Sequence, residues 1–150
     1  MARKKPYEPK AFETARQGKA KRSEAYASIY HSMLMSPAYM DLTHRQRDLY
    51  TYCKLQYYGE SPGGSPEFTM NRYKWQERYR LYSEGNSNAF YKDMETLINH
   101  GFVDCIFQGG AVKKKNRYRL SDRWRDFGTD KFKMPPDCVT AAMLRRMRAK

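Results

Sequence analysis

Asn88, Lys92, Glu95 and Asn99 recur at the spacing that lines side chains along one face of an α-helix, with Tyr91 on the flank. Their heads donate or accept hydrogen bonds and none is a ready nucleophile, so the chemistry they suit is recognition rather than bond-making. On a base edge, amides match adenine, Lys matches guanine and Glu accepts from cytosine. Each of them also reads as plain solvation of a surface helix. A second group supplies charge: Arg72, Arg80, then Lys113, Lys114, Lys115, Arg117 and Arg119, with Ser87 at the helix start. These are the groups that ligate phosphate oxygens and displace counterions.

The elements that must carry them can be read from residues 86–120. Phe90, Met94, Leu97 and Ile98 form an apolar stripe opposite the polar face, which also includes Thr96. Asn86 or Ser87 is placed to cap the helix and Gly101 to end it. Phe102 to Phe107 is rich in strand formers, Arg117 to Leu120 alternates charged with apolar, and Tyr118 and Leu120 should point inward. Gln108 to Asn116 between them holds two glycines and three lysines, predicting a hairpin with a flexible basic tip.

Upstream, residues 1–22 show no apolar periodicity and are expected to be a disordered basic arm, either a contact to a polyanion or a solubilising tail. Tyr26 to Met35 fits strand or helix, and Ser36-Pro37-Ala38 a turn or short helical start. Thr43-His44-Arg45-Gln46 spells a capping box, predicting a helix from about His44 to Tyr58 with Leu49, Tyr50, Cys53 and Tyr57 inward and Leu42 as staple. Gly59 to Glu67 is a loop by its glycines and prolines, and Phe68 to Met70 a short strand. Asn71 caps a predicted helix over 72–82 that turns Trp75, Tyr79 and Tyr82 to one side, and Ser83 to Asn86 makes a glycine-containing turn. Past the ribbon, Ser121 starts a short turn carrying Trp124 and Phe127 into the core. Residues 128–137 read as linker, and 138–148 as a short basic amphipathic helix.

The chain has 150 residues, enough for one domain with tails, and a formal charge of +13. Residues 1–25 carry 8 basic and 3 acidic side chains, residues 113–150 carry 13 and 4, and the stretch between holds 8 against 9. An excess confined to the flanks and the hairpin tip points to a polyanion, most commonly nucleic acid. Cys53, Cys105 and Cys138 are widely spaced and suggest neither a disulfide framework nor a zinc site. No apolar run approaches a membrane span, and a cytoplasmic, nucleoid-associated protein without cofactor or metal is expected.

A helix followed directly by a basic hairpin resembles the winged-helix variant of the helix-turn-helix. The segments SPAYMDL, the helix with its GFVD, and NRYRLSDRW are similar to small winged-helix proteins of phages, plasmids and conjugative elements, over roughly residues 26–128. The resemblance implies an α+β fold: a three-helix core, a small antiparallel sheet and a β-hairpin wing over 23–128, between a basic arm (1–22) and a linker with a short C-terminal helix (129–150). It implies sequence-specific binding to double-stranded DNA, in replication initiation or control or in transcription, with replication or transcription proteins as further partners. A homodimer through the C-terminal segment is left open.

The sequence offers little for catalysis. His44-Arg45-Gln46-Arg47 contains the His-x-x-Arg of tyrosine recombinases, but no arginine box precedes it, and the paired histidines of DNA-nicking initiators do not occur. No phosphate-binding glycine loop, His-Glu-x-x-His or carboxylate cluster is present, so no enzyme is expected. An RNA-binding or ribosome-associated protein would use the same basic tails. A protein-interaction module built on the wing and the C-terminal segment is a third reading.

Overall fold

Three helical starts are set by side chains that accept backbone N–H groups. Ser36 Oγ accepts from Tyr39 N at 3.2 Å. Thr43 Oγ1 accepts from Gln46 N at 3.3 Å while Gln46 Oε1 accepts from Thr43 N at 2.9 Å, the reciprocal capping box expected there. Asn71 Oδ1 accepts from Lys74 N at 3.0 Å. The computed structural model describes residues 27, 29–56, 67–109 and 114–134. The basic arm, Tyr57, Tyr58, Lys113, Cys138 and the C-terminal helix expected over 138–148 lie outside these.

Among the described residues the fold is mixed α+β. Two short helices, α1 (His31–Leu34) and α2 (Pro37–Met40), lead into α3 (His44–Lys54). Strand β1 (Glu67–Phe68) and a π-helical turn (Tyr73–Arg78) precede α4 (Ser87–Asn99), followed by β2 (Val103–Phe107), β3 (Arg117–Leu120) and a 3-10 turn (Arg123–Asp126). The strands form an antiparallel sheet in the order β1-β3-β2. Cys105 pairs with Tyr118 and Phe68 pairs with Tyr118 from the other side, so Tyr118 sits at the sheet centre and is buried. A bulge between Cys105 and Phe107 shifts the register towards the ribbon tip.

The core is built from the faces that periodicity marks. Leu42, Leu49, Tyr50 and Cys53 meet Phe90, Met94, Leu97 and Ile98, and Phe102, Val103, Trp75 and Trp124 close the remaining sides. Full burial of a side chain such as Phe90 or Leu97 stabilises by about 1.5–3 kcal/mol each. Burial pushes the Cys53 thiol and the Tyr50 and Tyr118 phenols up from their ordinary ranges, so all three stay neutral at physiological pH. Gly101 adopts φ +85°, and a Cβ there would also press into the Arg123–Trp124 backbone, so its role exceeds that of a helix stop. Where the ribbon runs into its turn, Gly109 O accepts from Lys114 N at 2.9 Å and Gly109 N donates to Asn116 Oδ1 at 2.9 Å, an approach that leaves no room for a side chain.

Several expectations change. Helix α3 ends at Lys54 rather than Tyr58, and Gln56 closes its last turn by donating to Tyr52 O at 3.0 Å and to the Tyr79 hydroxyl at 2.6 Å. Glu67, expected in the loop, belongs to β1. The helix expected over 72–82 is instead a π-turn that stops at Arg78, with Tyr79 N donating to Lys74 O at 2.8 Å. Seven residues of α-helix would hold Trp75 and Tyr82 roughly 10 Å apart along the axis. The chain reverses at Arg80, φ 53°, and the two rings meet edge-on at 5.7 Å while Trp75 stacks on Phe90 at 4.9 Å. Asn86 stands at the α4 N-cap but makes no side-chain cap bond. Residues 129–134, expected as linker, lie against the body: Phe127 stacks on His100, Phe132 meets Phe127 edge-on, and Arg123 Nη1 donates to Lys133 O at 3.1 Å. No helix among the described residues is long and apolar enough to cross a membrane.

Candidate functional site

The orientation of α4 is fixed from behind by a buried carboxylate. Asp93 is 4% exposed and accepts from Arg45 Nε at 2.6 Å, Gln46 Nε2 at 3.1 Å and the Tyr82 hydroxyl at 2.7 Å. The Asp93 hydrogen bond, against a smaller opposing effect of burial, raises the Arg45 guanidinium's pKa, and burial followed by the Asp93 bond pushes the Tyr82 phenol up. Three elements thereby share one anion: the start of α3, the chain returning from Arg80, and the middle of α4. In the sequence Asp93 counts as one of the acidic groups on the helix. The fold removes it from the surface and neutralises it with Arg45.

With that side fixed, the opposite face of α4 looks outward. Asn88 and Lys92 are exposed, Ser87 is exposed in the first turn, and Glu95 and Asn99 are half-buried further along the helix. Tyr91 stays 39% exposed on the flank, edge-on to Phe90 at 5.2 Å, so it is neither core nor fully free. Thr96 Oγ1 donates to Lys92 O at 3.1 Å, an internal bond that occupies its hydroxyl hydrogen. The five expected base-reading side chains therefore share one helix, with Asn88, Tyr91 and Lys92 exposed and Glu95 and Asn99 half-buried.

The basic residues divide sharply. Arg117 donates to Glu67 at 2.9 Å across the sheet and lies over the Phe107 ring, and Arg119 pairs with Asp104 at 3.5 Å. Arg72 donates to Gln76 at 2.8 Å and approaches Glu84 at 3.7 Å. These three are held by acidic or amide partners. Lys114, Lys115 and Arg80 are exposed and have no carboxylate partner among the described residues. Lys113 lies outside the described residues.

Two basic groups are not signalled by the sequence. Arg123 Nε donates to Asp104 Oδ1 at 2.9 Å, and its Nη2 donates to Ile98 O at 3.0 Å, at the end of α4, and to Val103 O at 3.4 Å in β2. Lys74 Nζ donates to Thr69 O at 2.7 Å and Gln56 Oε1 at 2.8 Å. Burial first, then repulsion by the Arg78 and Lys115 charges, lowers its pKa. The nearest hint is the run of cations beside aromatics in 72–80, but only the fold brings Lys74 to a recess beside β1 and β3. Of the His44–Arg47 fragment, Arg47 donates to Tyr39 O and Met40 O at 3.2 Å each, fastening α2 to α3. No group of three or more His, Cys, Asp or Glu side chains placed to hold a metal occurs among the described residues.

In comparisons with known proteins, no family model matches this chain, and no curated protein and no solved structure matches it either.

Proposed function

We propose that this chain is a winged helix-turn-helix protein that binds double-stranded DNA in a sequence-specific way, in replication initiation or control or in transcription of a mobile element. The observation that carries the reading is the outward face of α4, where Asn88 and Lys92 stand exposed beside Tyr91 while Asp93 anchors the opposite side. The element order supports it: a helix, a strand, a helical turn, a second long helix and then a two-stranded ribbon whose second strand pairs with the first strand of the chain. That arrangement presents a helix to the major groove with a hairpin beside it.

In this reading, affinity and choice come from different residues. Lys114 and Lys115 at the ribbon tip, Lys113 next to them, and Arg80 meet phosphates and release counterions, an attraction indifferent to sequence. Asn88, Lys92, Glu95 and Asn99 meet base edges, where a good two-point contact is worth roughly 1–3 kcal/mol of discrimination. The exposed charges on the helix are Lys92 against the half-buried Glu95, so the helix adds little net attraction. Such a helix can discriminate only when the wing holds it on the duplex.

The test is selection from a random duplex pool by the full chain, followed by sequencing and a titration against structured RNA. Enrichment of one motif with duplex preferred over RNA supports the reading. No enrichment, or preference for RNA, overturns it.

A further inference from the structure

The chain just past α3, β1, the π-turn and β3 border an open surface recess of about 430 Å³ lined by Gln56, Glu67, Phe68, Thr69, Lys74 and Arg117. Clefts that hold small ligands run from roughly 300 to 1,000 Å³, so the space suits one small polar group with its water. Its polar lining is held in place. Gln56 Nε2 donates to Tyr52 O and to the Tyr79 hydroxyl, which fixes the amide and turns Oε1 to Lys74. Lys74 Nζ spends two of its three donors on Gln56 and Thr69 O, and the third remains. Arg117 is steadied by Glu67 at 2.9 Å and by the Phe107 ring.

The charge around the recess is unbalanced. Among the described residues, no carboxylate lies within ion-pair distance of Lys74, Arg78 or Lys115, and Glu67 is engaged by Arg117. The lowered pKa of Lys74 reflects its burial and then the repulsion of Arg78 and Lys115. Gathering like charges without a partner is unfavourable, and a bound anion removes that cost. A nucleophilic role for Lys74 fits less well, because both of its acceptors stabilise the charged ammonium and hold the nitrogen's protons.

We propose that this recess binds a single phosphate group, with Lys74 and Arg117 as direct ligands and Arg78 and Lys115 supplying the surrounding charge. A forked guanidinium and a point ammonium match the several oxygens of phosphate better than they match a carboxylate. Glu67 opposes the anion, so it sets the affinity. The site rests on the DNA-binding reading only for where its phosphate comes from: a duplex backbone and a free phosphate offer the same chemistry.

The experiment follows the side-chain nitrogen signals of Lys74 and Arg117 in the wild-type full chain during titration with inorganic phosphate, against sodium chloride at equal ionic strength. Both signals should move saturably with phosphate and not with chloride. Glu67→Gln should tighten phosphate by roughly two- to fivefold, the range of a removed exposed charge. Lys74→Met and, as a variant that leaves the Gln56 and Thr69 bonds in place, Arg78→Gln should weaken it. Duplex titrations of the same proteins identify the source. A salt slope reduced by about one in Lys74→Met assigns the phosphate to the duplex backbone. Saturable phosphate binding with an unchanged slope, or with no duplex binding, supports the site with free phosphate as its ligand, and the second result sinks only the DNA reading. If neither phosphate nor duplex moves Lys74, or chloride moves it equally, the site is overturned even when duplex binding persists.

Discussion

The ribbon holds two populations of positive charge that look alike in the sequence and differ in employment. Along its strands and just beyond, Arg117, Arg119 and Arg123 are bound to Glu67 and Asp104. At its tip, Lys114 and Lys115 are exposed with no carboxylate partner among the described residues. Arginine's planar fork suits the fixed geometry of a sheet, whereas a lysine on a hairpin tip is a mobile point charge. The comparison teaches that the charge count of 113–119 overstates what is free to bind. Arg119 and Arg123 are engaged at Asp104, Arg117 shares its fork with Glu67, and the two lysines are the ones without an ionic partner among the described residues.

The largest effect should come from the bound population. Arg123 joins Asp104, Ile98 O and Val103 O, and Asp104 is only 7% exposed. Arg123→Ala leaves a buried carboxylate with the longer Arg119 contact alone and two backbone carbonyls without that donor. A loss of about 3 kcal/mol is expected, the lower end for a broken buried pair, because Arg119 remains. Chemical denaturation would measure it. A loss below 1 kcal/mol would show that Arg123 belongs with the free cations and would break the comparison.

Next in size is the outward face of α4. Asn88→Ala or Lys92→Ala should cost roughly 1–3 kcal/mol of binding to a selected duplex, little on random duplex, and less than about 0.5 kcal/mol of stability, since both are exposed. Competition binding on the two duplexes decides it. Equal losses on both would move these residues into the phosphate-contacting group.

How much of this was legible in advance depended on how local the cause was. The Thr43 capping box, the Phe90–Met94–Leu97–Ile98 stripe, the Gly101 stop and both ribbon strands are signalled within a few residues, and the structure has them where expected. The burial of Asp93 is not signalled locally, because its partners Arg45 and Gln46 stand 48 and 47 residues away and no periodicity announces a long-range ion pair. Trp75 and Tyr82 shared a face, as expected, but by a chain reversal rather than a continuous helix. A pattern fixes which side chains meet and leaves open the path that brings them together. The arginines of β3 were assigned to phosphate because alternation predicts that they face outward. It does not predict that carboxylates on both neighbouring strands face the same way.

Arg80 offers a smaller and more diagnostic effect. It is the one non-glycine residue among the described residues with positive φ, and a side chain in that region costs about 1–2 kcal/mol. Arg80→Gly should relieve the strain and, after glycine's own entropic penalty of roughly 0.5–1 kcal/mol, leave the protein up to about 1.5 kcal/mol more stable. If the exposed guanidinium also meets a phosphate, the same variant should bind duplex more weakly with a shallower salt dependence. Stability and affinity would then move in opposite directions. Thermal melting and a salt titration together check this, and a variant that loses both would indicate that the Arg80 side chain is structural.

The smallest stability effect, and the sharpest test of the comparison, comes from pairing Lys114→Ala/Lys115→Ala with Arg117→Ala. The lysines are exposed and without carboxylate partners among the described residues, so their removal should change stability by no more than about 0.5 kcal/mol. Removing Arg117 breaks an exposed cross-strand pair with Glu67, a contribution of about 0.2–1 kcal/mol. On duplex the expected order reverses in the salt dependence. Losing two lysine contacts should lower the slope by roughly 1.8, at about 0.9 per phosphate, whereas losing Arg117 removes at most one. Because the ordinate is a slope, a general weakening caused by misfolding cannot imitate the result. If Arg117→Ala flattens the slope as much as the double lysine variant does, the strand arginines are as free as the tip lysines, and the division of labour drawn from their ion pairs fails.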